Sequence, residues 1–141
     1  MYLAQSISWQ GKTRPMVGVI RGDILMHAKP VGRGYVIIEP TQTHPWRRQE
    51  CRPASADFAQ PLHAHEFHYS EIRGLPPDTR YAYTVKRGYG VDGKHDGIIQ
   101  HNLLASYTHL RGTAGCDWPA QFIQFARHCS TLTREIAPCL P

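Results

Sequence analysis

Asp96-Gly97-Ile98-Ile99, then Asn102-Leu103-Leu104-Ala105 and Ser106-Tyr107-Thr108-His109-Leu110, is the stretch whose reading decides the fold. Two short apolar runs bounded by glycine, asparagine and serine have the length of buried strands, too short for a helix. A histidine at the end of such a run sits where a side chain can reach a ligand. His109 is therefore the first candidate for chemistry, as a base that needs a nucleophile within hydrogen-bond reach. No serine or cysteine of the chain occupies a convincing nucleophile turn.

Working outward, Tyr81, Tyr83 and Val85 alternate with Ala82, Thr84 and Lys86, the pattern of a half-exposed strand. Residues 88–93 form a hairpin-like connection from it into the buried run. Residues 34–39 read as a strand, entered through Gly32-Arg33-Gly34 and closed by Pro40. Residues 16–20 read as a short strand ended by Gly22-Asp23, and residues 66–72 as another, followed by a turn at 75–78. Residues 41–61 are polar and punctuated by proline, a loop long enough to be functional or disordered. Residues 1–9 carry Leu3 and Ile7 at i,i+4 and are predicted to form a helix with no N-cap before it. Asp117 is the predicted N-cap of a C-terminal helix with Pro119 in its first turn. Its apolar face comprises Trp118, Phe122, Phe125 and Cys129, and Pro138 and Pro141 mark a frayed tail. Helix, strands and packing helix in that order suit part of an α/β or α+β layer.

At 141 residues, with neither repeats nor an internal linker, the chain is one domain or part of one. The net charge of +5 comes with dispersed arginines rather than a basic stripe interleaved with aromatics. That distribution disfavours a nucleic-acid partner and suits a solvated surface or an anionic small molecule. Cys51, Cys116, Cys129 and Cys139 lack the CxxC spacing of zinc ribbons and thioredoxin-like motifs, and read as unrelated thiols. No apolar stretch approaches the roughly 20 residues that span a bilayer. Nor does a charged segment lead into an apolar one as in a signal peptide, so a cytoplasmic protein without a membrane partner is expected.

His63, His65, Glu66 and His68 lie close together and raise the question of zinc. On a strand, His63 and His65 face one side while Glu66 and His68 face the other, so the four do not converge on one ion. A strand that turns Glu66 and His68 into a pocket fits better.

His65-Glu66-Phe67-His68-Tyr69-Ser70 resembles the Gly-His-Glu-Phe-His-Tyr-Ser signature of cobyrinic acid a,c-diamide synthases, with Ala64 where glycine is usual. Met26-His27 and Gly32-Arg33-Gly34-Tyr35 resemble a preceding stretch of the same family. Asp92-Gly93-Lys94-His95-Asp96-Gly97 followed by Leu104-Ala105-Ser106-Tyr107-Thr108-His109 resembles its final strand and histidine. Residues 118–127 resemble its closing helix. Four motifs in order cover nearly the whole chain.

The resemblance implies an α/β fold over residues 1–141: a partial, flavodoxin-like class I glutamine amidotransferase domain, a mixed sheet with flanking helices. Met1-Tyr2-Leu3-Ala4 resembles the helix that follows the family's nucleophilic cysteine. The N-terminal strands and the nucleophile turn would then precede Met1, leaving Ile98, Leu103 and Leu104 poorly covered. By motif match His109 is the general base, and Glu66 and His68 line the glutamine pocket or a domain interface. Arg111 stands where many triad amidotransferases carry a glutamate that orients the histidine. The implied activity is ATP- and glutamine-dependent amidation of the a and c carboxylates of cobyrinic acid. ATP and Mg would belong to a synthetase part, with no cofactor in this chain. Implied partners are glutamine, an acidic tetrapyrrole, that synthetase part and, as an option, a second copy. Amidation of siroheme or another tetrapyrrole, and a non-catalytic interaction module, stand as alternatives. The 141-residue chain alone is expected to be inactive, because the nucleophile is not in it.

Overall fold

A computed structural model of the chain describes residues 1–47, 60–112 and 117–136. Within these residues ten strands form two sheets, and one α-helix packs behind the second. In the first sheet, β1 (Ser6–Trp9) pairs with β2 (Lys12–Pro15) through a two-residue turn. Gln10 and Gly11 both have positive φ there, 47° and 73°, as a tight hairpin turn requires. On its other edge β1 runs parallel to β3 (Asp23–Met26), which pairs antiparallel with β6 (Ser70–Arg73).

The second sheet has the order β10-β5-β4-β7-β8-β9, antiparallel throughout. Its strands are β4 (Gly32–Pro40), β5 (Leu62–His68), β7 (Arg80–Arg87), β8 (His95–Gln100), β9 (Leu103–Ala105) and β10 (Thr108–His109). Adjacent residues of β8 and β9 enter opposite cores. Ile98 and Leu103 join Ile20, Val91, Ile72 and Leu75 on the side of the first sheet. Ile99 and Leu104 join Ile38, Ala82 and Tyr83 on the other side. Cover on both faces is why residues 96–99 are buried without a break rather than alternately. It also covers Ile98, at 6% exposure, contrary to the expected bare face.

Behind that second core, α1 (Trp118–Ile136) lays Phe125 against Trp46. Asp117 Oδ1 accepts the Ala120 N–H at 3.4 Å, the expected cap. Trp118 and Cys129 flank this contact, whereas Phe122 is half-exposed at 49% and meets Trp46 edge-on. Trp46 belongs to a single 3-10 turn (Pro45–Arg47), so the predicted loop begins as a core anchor. His44 Nε2 adds a 2.9 Å hydrogen bond to the Tyr83 hydroxyl. The rest of that loop to residue 59, and the predicted tail, lie outside the described residues.

Three predicted elements change. Residues 1–9 are not a helix: the carbonyls of Tyr2, Leu3 and Ala4 accept from Val17, Ile20 and Gly18, and Ser6 begins β1. Residues 16–20 are accordingly not a strand, because the N–H groups of Met16, Val17, Gly18 and Ile20 are committed to carbonyls of residues 2–5. The strand predicted over 66–72 is two strands, since the chain leaves one sheet at His68 and enters the other at Ser70. Tyr69 makes the crossing, its carbonyl accepting the His27 N–H at 2.7 Å. Strands at residues 34–39 and 81–85 form as predicted, although Ala82 and Tyr83 are both buried, not alternately.

Gly32 is among the glycines that packing requires. A Cβ on Gly32 would lie 2.2 Å from His68 Nε2 and 2.7 Å from Glu66 Cδ. Gly32→Ala is expected to lower the unfolding free energy in urea by about 1–3 kcal/mol, the range for overpacked cores. Part of that loss should disappear in a His68→Ala background. An equal loss in both backgrounds would show that the side chain of His68 is not what excludes the methyl group.

Candidate functional site

The site is built on two buried carboxylates. Asp96 on β8 is 0% exposed, and a charge in that position needs donors. They come from the bend before β10, where Ser106 Oγ at 2.8 Å, Tyr107 N at 3.1 Å and Thr108 N at 2.8 Å all donate to it. β10 then pairs with β5, Thr108 opposite Glu66 and His109 opposite His65. The next side chain, His109, is exposed, its ring 4.8 Å from that of His65 and tilted by 41°.

Glu66, at 2% exposure, is the second carboxylate. Its Oε1 accepts the Tyr89 N–H at 2.7 Å and its Oε2 the Gly90 N–H at 2.8 Å. These two bonds tie the 88–90 turn to β5. His68 Nε2 lies 3.5 Å from Glu66 Oε2, and His68 Nδ1 donates to the Ser70 carbonyl at 2.8 Å. The His68 ring stacks on Tyr107 at 4.0 Å and 19°. The Tyr107 hydroxyl is 3.0 Å from Ser70 Oγ. Burial pushes the Tyr107 phenol above its ordinary value, against the pull of the Ser70 hydrogen bond, so it stays neutral at physiological pH.

His109 opens onto two grooves. One, of about 380 Å³, is shared with Met1, Ala4, His68, Ser70 and Tyr107. The other, of about 440 Å³, is shared with Tyr35, His63, His65 and Arg111. β5 contributes to both: Phe67 and His68 line the first groove, and His63, Ala64 and His65 the second, while the strand alternates as predicted, with His63, His65 and Phe67 outward and Ala64, Glu66 and His68 inward. His68 walls the first groove, whereas Glu66 lines neither and sits behind it. Arg111, two residues beyond His109, lines the outer groove and can only donate hydrogen bonds.

Chemically, this is an imidazole held at the lip of a mostly apolar groove, able to take up and release a proton there. Among the described residues no group of three or more His, Cys, Asp or Glu could hold a metal ion. Cys129, half-buried against the Trp46 and Phe125 cluster, lines neither groove; the other three cysteines lie outside the described residues. Sequence reasoning missed Asp96, Ser70 and Tyr107. The signal for Asp96 was available: a carboxylate inside a strand-forming apolar run has to be satisfied by something nearby.

The model for the CobB/CobQ-like glutamine amidotransferase domain matches residues 1–114. Among curated relatives, the cobyrinate a,c-diamide synthase of Magnetococcus marinus is 39% identical over 127 residues, covering 90% of this chain and 25% of the relative. The enzyme of that name from Halobacterium salinarum is 32% identical over 111 residues, 78% of this chain and 23% of the relative. That from Methanosarcina barkeri is 44% identical over 64 residues, 45% of this chain and 13% of the relative. The chain therefore spans a quarter or less of the length of these relatives. No helix among the described residues is long and apolar enough to cross a membrane. A mixed fold of strands and one helix, a histidine at a strand end and a match over most of its length agree: the chain belongs to the family of CobB/CobQ-like glutamine amidotransferase domains.

Proposed function

We propose that this chain is the proton-handling portion of a glutaminase domain, within an ATP- and glutamine-dependent amidoligase that amidates the a and c carboxylates of cobyrinic acid. The observation that carries the reading is the place of His109, exposed on β10 at the edge of the groove it shares with Met1 and Ala4. The names of the relatives supply the substrate. The flavodoxin-like whole belongs to the same proposal, completed by strands and a nucleophile turn supplied from outside this chain.

The reaction follows from the groups. A thiolate attacks the side-chain amide carbon of glutamine after its proton passes to the His109 imidazole. His109 returns that proton to the amide nitrogen as the C–N bond breaks, releasing ammonia and leaving a thioester. Water, losing a proton to His109, then cleaves the thioester to glutamate and regenerates the thiol. His68 and Tyr107 wall the groove, and Glu66 holds its frame by binding the 88–90 turn. ATP and Mg would act in a synthetase part on the carboxylate that receives ammonia. No step at His109 runs through them.

Incubated alone with glutamine, the 141-residue chain is expected to release no glutamate. Release that disappears in His109→Ala would overturn the assignment of the nucleophile to another segment. Supplied in trans to the first three quarters of the Magnetococcus marinus relative, the chain should restore glutamine-dependent amidation of cobyrinic acid. His109→Ala should reduce that activity by about 10²–10⁴-fold while leaving ammonia-dependent amidation unchanged. Equal loss with both nitrogen donors would sink the role of His109.

Glu66→Gln would set an amide NH₂ against a backbone N–H that now has an acceptor. A loss of stability of about 1–3 kcal/mol in urea is expected, from the one buried donor left unpaired. Unchanged stability with weakened glutamine binding would instead make Glu66 a ligand-contacting residue.

A further inference from the structure

We propose that Asp96 is the positioning residue of His109, fixing through the backbone of Ser106, Tyr107 and Thr108 where the imidazole stands in the groove. This rests on the reading of His109 as the proton carrier. β10 is only two residues long and, among the described residues, pairs with β5 alone, so its own ladder is a weak hold. The N–H groups of the two residues just before His109 both end on Asp96, and the Ser106 hydroxyl makes a third bond. Tyr107 N goes to Oδ1, while Thr108 N and Ser106 Oγ share Oδ2. Only a carboxylate offers acceptors on both oxygens; an amide would turn its NH₂ toward one of these donors.

The clamp is itself anchored. Asp96 lies opposite Tyr83 in the β7–β8 ladder, inside the second sheet between β7 and β9. The next residue, Gly97, has φ 70°, and a Cβ there would come within 2.8 Å of Tyr83 and 2.9 Å of Ala82. Strand β8 therefore sits in close contact with β7, and the position of Asp96 is set by the core. On the far side of His109, Arg111 offers no acceptor for a ring N–H. Orientation is delivered from behind, through the main chain, and from the flank, through the ring of His65.

The test reads ring placement in the 141-residue chain by NMR with labelled histidine, His109 being assigned by its loss in His109→Gln. The expected signature is a ring-to-ring contact signal between His65 and His109, absent in Asp96→Asn. Thr108 N–H exchange should also accelerate by about tenfold or more, as for loss of a hydrogen bond to a charged acceptor. The control Asp92→Asn, whose carboxylate holds Lys94 and His95, should change neither. Retention of the His65–His109 signal in folded Asp96→Asn overturns the proposal. Should Asp96→Asn not fold, Ser106→Ala decides, since it removes one clamp bond from an exposed residue. A shifted His109 signal then supports the proposal and an unchanged one overturns it. Glutamine turnover plays no part in this readout, so a failure here is distinct from a failure of the amidation assay.

Discussion

A carboxylate cannot be left without partners in a protein interior, and the fully buried Asp96 is where that constraint governs this fold. Its acceptors are filled by a bend of three residues that would otherwise be a loose connection between a short strand and a shorter one. Satisfying the charge and shaping the bend are one event. The imidazole that follows is then placed by the core and not by the surface on which it is displayed. Glu66, on β5, repeats the device, binding the N–H groups of Tyr89 and Gly90.

Both carboxylates depend on a sheet that is covered on each face. The first sheet and the segment around Ile20 close one side, and the helix with Trp46 closes the other. Water is thereby kept from Asp96 and Glu66, which strengthens their hydrogen bonds. Close packing has a second consequence at Gly32 and Gly88, where a Cβ would approach Glu66 and, at Gly88, Val36 as well. Glycine there makes room for a charged side chain, so the polar core and the glycine pattern have a common cause.

The outer surface follows from the alternation of β5. Inward residues build the frame; outward residues, His63, His65 and Phe67, border the openings beside His109. The imidazole there meets both solvent and a groove walled by apolar groups and a neutral tyrosine. The dispersed positive charge includes Arg111, which lines the outer groove beside His63, His65 and His109.

Much of this was legible beforehand. The strand at 34–39, the capped helix after Asp117 and the two faces of β5 follow from local signals that tertiary contacts reinforce: glycine entry, an Asp N-cap, strict alternation. The family resemblance picked out His109 through the order of short motifs. Two kinds of feature were not legible. Residues 1–9 have helical spacing, yet their carbonyls are captured by residues 17–20, a pairing between segments that no local pattern encodes. Residues 66–72 look like one strand because nothing in the side chains announces that Tyr69 crosses between sheets. Likewise the need of Asp96 for partners is legible, but which three donors meet it is not until the chain folds back. Local spacing determined which elements could form and which histidine stood at a strand end. Only the packed structure decided which buried charge would hold that histidine, because the donors and the acceptor meet across a fold in the chain.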